Sequence, residues 1–326
     1  MKAVIQALRD QQKFIIMSHE HPDPDSIGSM LGLYLGLQQL GKSCRMVSAD
    51  PPPAALDWHG LAELEVMPGP LDITDAWVVV LDCEPSRTRL LSEELTASGR
   101  IINIDHHQGS RFASGITWVD PDEPATSVMV YRILKALGVS LNPWIATALY
   151  GGIVGDTGGF RYANTTAEVF TIAAELVAQG IDHPKIARQI FSCKPMEFMK
   201  LLGHALSTME SDLDGRLVWL KVSYADFLRW GADPAETDQL IQYARMVDTA
   251  RIALLFREVK PGEIRVGFRS DAIDVAKLAA QFGGGGHKLA AGAKFTGTLD
   301  AAVEQVTAAA RAYIYEEDRQ WTASSM

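Results

Sequence analysis

Through about residue 185, short β-branched runs alternate with stretches of helical periodicity, a pattern typical of parallel βαβ units. The runs predict strands at 14–18, 44–48, 77–82, 100–105 and 116–119. The intervening stretches predict helices at 2–12, 26–40, 86–98, 125–138, 142–154 and 166–179. We therefore expect an α/β fold in which a parallel sheet with flanking helices forms the N-terminal domain.

The pattern changes in the second part of the chain. Residues 186–210 are helical in character, and strands are predicted at 216–222, 252–258 and 263–269, followed by a helix at 274–282 and a glycine loop. We predict a domain at 1–185, a helical linker at 186–210, a smaller α/β domain at 211–316 and a frayed tail at 317–326. A cleft between the two domains is expected to hold the functional site.

One helix carries glycines at regular spacing. Gly28, Gly32 and Gly36 recur every four residues on one face of the helix predicted at 26–40. Such spacing favours a close helix–sheet contact in a globular protein, because glycine lets backbones approach.

Composition is that of an ordinary soluble protein: 47% of the 326 residues are hydrophobic and 21% are charged. Every apolar run is interrupted well short of the roughly 20 residues that span a membrane, and the first residues do not resemble a signal peptide. Three scattered cysteines (Cys44, Cys83, Cys193) without a C-x-x-C pair favour a reducing cytoplasm. Cys83 is predicted to pack in the core and not to act as a nucleophile.

The formal net charge of −10 argues against a protein that grips long nucleic acid, which normally needs a basic surface. A nucleotide substrate should therefore be short and held locally.

Four separate segments carry aspartate and histidine at strand or turn ends, the arrangement by which an open α/β sheet builds a site. They are His19-Glu20-His21-Pro22-Asp23-Pro24-Asp25, Asp82, Asp105-His106-His107 and Asp156 within a glycine-flanked stretch. Crowded carboxylates of this kind would protonate unless cations neutralise them. The segments therefore predict a two-metal centre for phosphoester cleavage.

The spacing suggests how such a centre is shared. His19 and Asp23 can turn toward one cation and Asp25 toward a second, while Asp82 bridges two ions roughly 3.5–4 Å apart. His106 and Asp156 can complete the ligands of the second ion, and Asp105 is placed to fix a histidine tautomer. Mixed oxygen and imidazole ligands suit two Mn²⁺ best, with Mg²⁺ or Co²⁺ as alternatives.

Residues beside these motifs leave alternatives open. His21 is expected to hydrogen-bond within its loop and not to bind a metal. For Arg87 and Arg89, contact with substrate and capping of the following helix are equally favoured. Arg161 and Tyr162, which follow Asp156, either line the cleft or pack in the core.

A second chemical signal lies near the C-terminus. The run Gly283-Gly284-Gly285-Gly286-His287-Lys288 exposes backbone N–H groups that suit an anion. Arg269 and Ser270 end the preceding predicted strand and can reach the same phosphate. The predicted substrate-binding residues are Arg269, Ser270, Gly284, Gly285, Gly286 and His287.

Taken in order, these motifs resemble those of the DHH phosphoesterase superfamily, RecJ-like branch, over nearly the whole chain. Length and layout are similar to the compact members that act as oligoribonucleases and 3′-phosphoadenosine-5′-phosphate (pAp) phosphatases. The resemblance implies one manganese on His19, Asp23 and Asp82, and the other on Asp25, Asp82, His106 and Asp156. It also implies that His107 contacts the scissile phosphate, whereas Arg269 and His287 bind the terminal phosphate or nucleotide.

The leading hypothesis is a cytoplasmic hydrolase in which a metal-bridging hydroxide attacks a phosphoester in line. Asp82, Asp105, His106 and His107 are the predicted catalytic residues. Its substrates would be pApA-like dinucleotides, short oligonucleotides and pAp, without long duplexes or membranes as partners. The alternatives are an inorganic pyrophosphatase or exopolyphosphatase, and a non-catalytic nucleotide-binding module. A homodimer through helix 125–138 is also left open.

Overall fold

The computed structural model describes residues 1–71, 75–107, 112, 114–234 and 237–324, without the side chains of His287 and of residues 320–324. The chain divides into two compact units, Met1–Cys193 and Lys194–Met326. The division falls inside the predicted linker 186–210, between two helices.

Among the described residues, six strands form one parallel sheet in the first unit. They are β1 (Lys13–Met17), β2 (Ser43–Ser48), β3 (Leu64–Val66), β4 (Trp77–Leu81), β5 (Ile101–Asp105) and β6 (Ile116–Val119). The spatial order is β3-β2-β1-β4-β5-β6. The direction of winding therefore reverses between β1 and β4, and the carboxyl ends of these two strands border the crevice where α/β sheets bind ligands.

Helices follow most of the strands. They are α1 (Lys2–Asp10), α2 (Pro24–Gln39), α3 (Glu93–Ala97), α4 (Thr126–Leu137), α5 (Pro143–Asp156), α6 (Ala167–Val177) and α7 (His183–Phe191). The predicted parallel α/β architecture is confirmed, and the five predicted strands match within a residue or two. The structure adds β3, a short half-buried strand without the apolar alternation that predicts strands.

The continuous helix predicted at 86–98 is wrong. A short 3-10 turn at Pro85–Thr88 is followed by Arg89 in the left-handed region, at φ 58°, and α3 begins only at Glu93. A left-handed residue cannot continue a right-handed helix. Ser92 then caps α3 by accepting a hydrogen bond from Leu95 N.

The three glycines of α2 face other helices and not the sheet, which corrects the expected helix–sheet contact. A Cβ on Gly28 would lie 2.4 Å from the carbonyl oxygen of Ala148 in α5, and one on Gly32 would lie 2.6 Å from Leu149 Cδ2. Gly36 faces Leu134 of α4 in the same way. Gly28 therefore lets α2 lie against α5 almost backbone to backbone, whereas Gly32 and Gly36 make room for leucine side chains of α5 and α4.

The apolar side of α4 is also used within the unit. Val130, Ile133 and Leu134 are fully buried in the first unit's core. The dimer face left open for helix 125–138 is therefore not supported, because these side chains already have partners. No helix in the described ranges has the length and apolar character needed to cross a membrane.

Six further strands form a mixed sheet in the described part of the second unit. They are β7 (Glu210–Asp212), β8 (Leu217–Val222), β9 (Ile252–Lys260), β10 (Glu263–Arg269), β11 (Gly285–His287) and β12 (Ala290–Thr296), in the order β11-β12-β10-β9-β8-β7. The helices are α8 (Met196–Ser207), α9 (Tyr224–Trp230), α10 (Ile241–Arg245), α11 (Val275–Ala280) and α12 (Leu299–Ser324). The smaller α/β domain is thus present.

The tail expected from residue 317 is helical as far as Ser324, because α12 continues through it. Upstream, Val306, Ala310 and Ile314 bury one face of this helix in the second core. Further along, Asp318 accepts a hydrogen bond from Arg216 at 2.7 Å and also pairs with Arg251. The buried apolar face stabilises α12 as far as Ile314, and the ion pairs of Asp318 stabilise the helix after the last buried apolar residue.

We expect Gly28→Ala to destabilise the protein by about 3 kcal/mol, at the upper end of overpacking costs, because the added methyl meets backbone that cannot rotate away. Gly203→Ala in α8 is the control. Its Cβ has no heavy atom within 4 Å, so it should gain roughly 0.5–1 kcal/mol from helix propensity. Urea unfolding in the presence of a chelator measures both, and equal stability of Gly28→Ala and wild type would contradict the close contact.

Candidate metal centre

The central side chains of the site follow the ends of β1 and β4, the two strands between which the winding of the sheet reverses. Ser18, directly after β1, donates its hydroxyl to the carbonyl of Leu81, the last residue of β4, at 2.7 Å. Asp82 N–H donates to the carbonyl of Ile104 at 2.9 Å, and Asp82 itself has a left-handed φ of 64°. These bonds hold the β4 end against both neighbours, and the left-handed turn directs the buried Asp82 carboxylate into the crevice.

The two oxygens of Asp82 face different histidines. Its Oδ2 lies 3.7 Å from His19 Nε2, whereas its Oδ1 lies 3.4 Å from His106 Nε2. On the first side, His19 Nε2 is also 3.9 Å from Asp23 Oδ2; on the second, His106 Nε2 is 3.1 Å from Asp156 Oδ2. A carboxylate shared in this way is the geometry of a ligand that bridges two cations.

All six predicted metal ligands come together in the first unit. Within one group (His19, Asp23, Asp82) and within another (Asp25, His106, Asp156), the ligand atoms lie no more than 4.8 Å apart. Asp82 also groups with His106 and His107. We call the set His19, Asp23, Asp25, Asp82, His106 and Asp156 the candidate metal centre.

Backbone carbonyls orient both ligand histidines. His19 Nδ1 lies 2.6 Å from the carbonyl oxygen of Glu20, and His106 Nδ1 lies 3.1 Å from that of Glu123. A carbonyl oxygen only accepts, so each Nδ1 carries the proton. Each Nε2 then faces the carboxylates and is the ring atom that can bind a metal once it has no proton.

His107 is oriented by the preceding aspartate, as expected for Asp105. The Asp105 Oδ1 atom lies 2.8 Å from His107 Nδ1 and accepts a hydrogen bond from His107 N at 3.1 Å. Asp105 is fully buried, whereas the His107 side chain is one-third exposed. The exposed part of the His107 ring is therefore accessible to a ligand.

The N-terminus of α4 is a part of the site that sequence reasoning missed. Thr126 N and Ser127 N donate to the two oxygens of Asp25, at 2.6 and 2.9 Å, and the Thr126 hydroxyl donates to Asp82 Oδ1 at 3.0 Å. A helix N-terminus stabilises a carboxylate through its free N–H groups and its dipole. A Thr-Ser pair at a helix start looks like an ordinary cap, so only the fold reveals its partners.

Charge in this crevice is unbalanced without cations. Burial, with the charges of Asp82 and Asp156, raises the pKa of Asp25 well above its usual range. Burial alone would lower the pKa of His106, but hydrogen bonds to Asp156 and Asp82 raise this pKa to about 12. Without a metal, protons on the Asp25 carboxyl group and the His106 ring therefore reduce the negative charge of the crevice. Metal binding displaces protons of this kind.

The donor set suits hard or borderline divalent cations. Carboxylate oxygens and imidazole nitrogens make up the groups that could hold an ion in the described ranges, and none includes cysteine. Burial, together with the charge of Asp82, raises the pKa of Cys83 well above its usual value, so this neighbouring thiol stays neutral. The residues present therefore fit Mn²⁺ or Mg²⁺ better than a thiolate-bound zinc.

His21 lies to one side of the centre. Nδ1 of its exposed ring is 3.3 Å from Asp50 Oδ2, and the backbone N–H of His21 donates to the same oxygen at 2.9 Å. Nearby Glu20 pairs with Arg89 at 2.6 Å. The Arg89 side chain is thus bound to the motif loop, whereas Arg87 accepts a hydrogen bond from Glu20 N through its carbonyl.

In the second unit, the glycine run is partly a strand and not a free loop. Gly285, Gly286 and His287 pair with β12, and a Cβ on Gly284 would lie 2.2 Å from the Gly292 carbonyl oxygen. Gly284 and Gly286 are therefore needed for close strand packing, whereas a Cβ on Gly285 would have no heavy atom within 4 Å. The His287 side chain lies outside the part of the structure that can be described, so its predicted role stays a prediction.

Arg269 and His287 lie in one row of the second sheet. Both are paired with Ala290, Arg269 from β10 and His287 from β11. Arg269 Nη1 donates to the carbonyl of Phe268 at 2.9 Å. The hydroxyl of Ser270 accepts hydrogen bonds from Ala272 N and Ile273 N, so its first role is to hold the turn after β10.

We expect Thr126→Val to lower the affinity for Mn²⁺ about ten-fold, because the isosteric change removes the hydrogen bond that orients Asp82. Thr126→Ser keeps the hydroxyl and should retain the affinity. Thr307→Val, which loses a buried hydroxyl bonded to Val303 O within α12, controls for the general effect of the change. Calorimetric titration with Mn²⁺ measures all three, and an unchanged affinity in Thr126→Val would show that Thr126 only packs.

Comparison with known proteins finds relatives over most of the chain. The chain is 36% identical over 305 residues to a Thermus thermophilus protein named bifunctional oligoribonuclease and PAP phosphatase NrnA, covering 91% of this chain and 88% of the relative. A solved exopolyphosphatase-related protein from Bacteroides fragilis is 26% identical, with a TM-score of 0.88 and coverage of 96% of this chain and 97% of that one.

A more distant likeness concerns the fold alone. The structure of RecJ in complex with Mn²⁺ from Thermus thermophilus has a TM-score of 0.53 and 16% identity, covering 97% of this chain and 54% of RecJ.

Two family descriptions match the chain in the order of its two units. Residues 13–153 match the DHH family, N-terminal domain, and residues 219–316 match the DHHA1 domain. The expected membership is therefore confirmed: the chain belongs to the DHH family.

Proposed function

We propose that this protein is a two-metal phosphoesterase that hydrolyses short oligonucleotides, pApA-like dinucleotides and pAp. The observation that carries the proposal is the Asp82 carboxylate, whose two oxygens face His19 on one side and His106 on the other. Two cations in the candidate metal centre would supply Lewis-acid stabilisation of the phosphoryl oxygens and an acidified water as nucleophile. Mn²⁺ is the proposed ion, with Mg²⁺ or Co²⁺ as alternatives.

His107 is proposed to bind the scissile phosphate. The hydrogen bond to Asp105 raises the pKa of His107, which favours the doubly protonated ring. With Nδ1 donating to Asp105, the protonated Nε2 can donate to a phosphoryl oxygen. Asp105 thus acts through His107, by holding its ring and stabilising its charge.

The substrate class is proposed from two independent supports. The relative with 36% identity is named for oligoribonuclease and PAP phosphatase activity. The net charge of −10 opposes binding along a polyanion. A substrate with few phosphates, held at the metal centre, satisfies both.

The second unit is proposed to bind the far phosphate or nucleotide of the substrate. Arg269 supplies a fixed positive charge, and His287 of the edge strand β11 lies in the same row of the sheet, directly after Gly284, Gly285 and Gly286. Ser270 is proposed to contribute through the turn that it stabilises.

We also propose a cytoplasmic location, supported by the cysteines. Cys44, Cys83 and Cys193 are all free thiols, which suits a reducing compartment.

We expect purified protein with Mn²⁺ to hydrolyse pApA and pAp faster than pyrophosphate, and to lose this activity when Mn²⁺ is chelated. Asp82→Ala should reduce kcat/KM by at least about 10³-fold, because one substitution removes a ligand from both ions. Release of nucleoside monophosphate and of phosphate measures the rates.

Lys185→Ala, which removes an exposed ion pair with Asp57, is the matched surface control and should leave the rates unchanged. Faster hydrolysis of pyrophosphate than of pApA would support the pyrophosphatase instead. Nucleotide binding without turnover under any of these metals would support the non-catalytic module.

A further inference from the structure

The turn that follows the last metal ligand has an unusual backbone. Gly158, Gly159 and Phe160 take left-handed φ values of 58°, 70° and 64° in succession. Thr157 anchors the turn: its hydroxyl accepts a hydrogen bond from Phe160 N at 3.1 Å, and its carbonyl accepts one from Tyr162 N at 3.1 Å. A left-handed conformation is costly for a bulky residue such as phenylalanine, so this turn is held by its surroundings.

This turn displays aromatic rings on the surface. The ring of Tyr162 lies over Gly158, where an added Cβ would be 2.4 Å from Tyr162 Cζ. Next to it, the ring of Phe191 lies 3.3 Å from the equivalent point on Gly159. Tyr162 is 45% exposed and Phe191 is 40% exposed. Both rings therefore need the glycines beneath them, and both keep an open face.

The surface extends through a stacked pair. Phe160 stacks on Phe170 with ring centroids 5.3 Å apart and an interplanar angle of 28°, and Phe170 is 55% exposed. We call Phe160, Tyr162, Phe170 and Phe191 the aromatic surface. The four rings contact or belong to the successive turn residues Gly158, Gly159 and Phe160, and several partly exposed rings grouped on one turn mark a candidate binding site.

The aromatic surface adjoins the candidate metal centre. Gly158 is two residues beyond Asp156, so their Cα atoms are at most about 7 Å apart. Asn164 Nδ2 donates to the carbonyls of Asp156 at 3.2 Å and of Pro124 at 3.0 Å. The turn is thereby fastened both to a metal ligand and to the segment whose Glu123 carbonyl orients His106.

A positive charge lies beside the rings. The guanidinium of Arg161 is 5.7 Å from the Phe191 ring centroid, and its Nε donates to the Gly158 carbonyl at 2.5 Å. Such a cation–π contact holds the arginine over the surface. An aromatic face and a cation, next to a centre suited to phosphate, together match a nucleotide and not an apolar peptide.

We propose that the aromatic surface, through the Tyr162 ring, stacks the nucleobase attached to the scissile phosphate. This inference rests on the proposed function and adds to it a reason for preferring nucleotides over phosphate esters that lack a base. Every base presents a π-face, so stacking binds nucleotides with little preference among bases. The subsite thus suits an enzyme that accepts short oligonucleotides of any sequence.

The test is Tyr162→Ala, assayed with pAp and with an abasic ribose 3′,5′-bisphosphate. We expect KM for pAp to rise about ten-fold with kcat little changed, because stacking binds substrate and transition state alike. KM for the abasic compound should not change. Tyr162→Phe keeps the ring and should behave as wild type.

Trp144→Ala is the matched control. Trp144 is an exposed aromatic residue, stacked on His59 at the opposite end of α5, 12 residues and roughly 18 Å from Asp156. Trp144→Ala should leave the KM for pAp and the KM for the abasic compound unchanged.

The outcomes separate the two proposals. If wild type hydrolyses neither compound with Mn²⁺, the proposed function fails. If wild type is active and Tyr162→Ala has an unchanged KM for pAp, or an equal rise in KM for both compounds, the base subsite is overturned. Conversion of an oligomer into monomers by Tyr162→Ala, with KM unchanged, would instead assign the surface to a second copy of the chain.

Discussion

The structure of the first unit depends on how the negative charge of several carboxylates around the buried Asp82 is stabilised. Asp82 lies at the centre of four aspartates, and none of them has a lysine or arginine partner among the described ion pairs. Buried negative charge of this kind is unfavourable unless positive charge is supplied. Histidine rings and the N–H groups of a helix N-terminus are arranged around it, and bound cations would complete the charge balance.

The fold provides for that arrangement at several levels. The reversal of winding between β1 and β4 brings His19 beside Asp82. Where α2 lies close to α5, the missing side chain at Gly152 leaves room for Asp25, because a Cβ there would lie 2.7 Å from Asp25 Oδ1. The N-terminus of α4 then holds both oxygens of that carboxylate. The glycines, the helix packing and the strand order thus all serve to place the ligand side chains around Asp82.

Our proposals assign the metal centre and the determinants of substrate choice to different parts of the chain. A centre that binds and activates a phosphoester contains nothing that selects a nucleotide over another phosphate ester. In our proposals, selection comes from the aromatic surface beyond Asp156 and from the row of the second sheet that holds Arg269 and His287. Proteins with the same metal ligands can therefore differ in substrate through these neighbouring surfaces.

Periodicity and motif order alone determined the parallel α/β class, the five longer strands of the first sheet and the six residues of the candidate metal centre. These features are encoded locally, since apolar runs specify strands and ligands must follow strand ends to share a crevice. The role of Thr126, the break at Arg89 and the helical state of 317–324 needed the tertiary structure. Each depends on partners distant in sequence, or on a backbone conformation that no local pattern specifies. The position of Tyr162 also needed the tertiary structure, because its ring lies over Gly158 only through the left-handed turn at Gly158, Gly159 and Phe160.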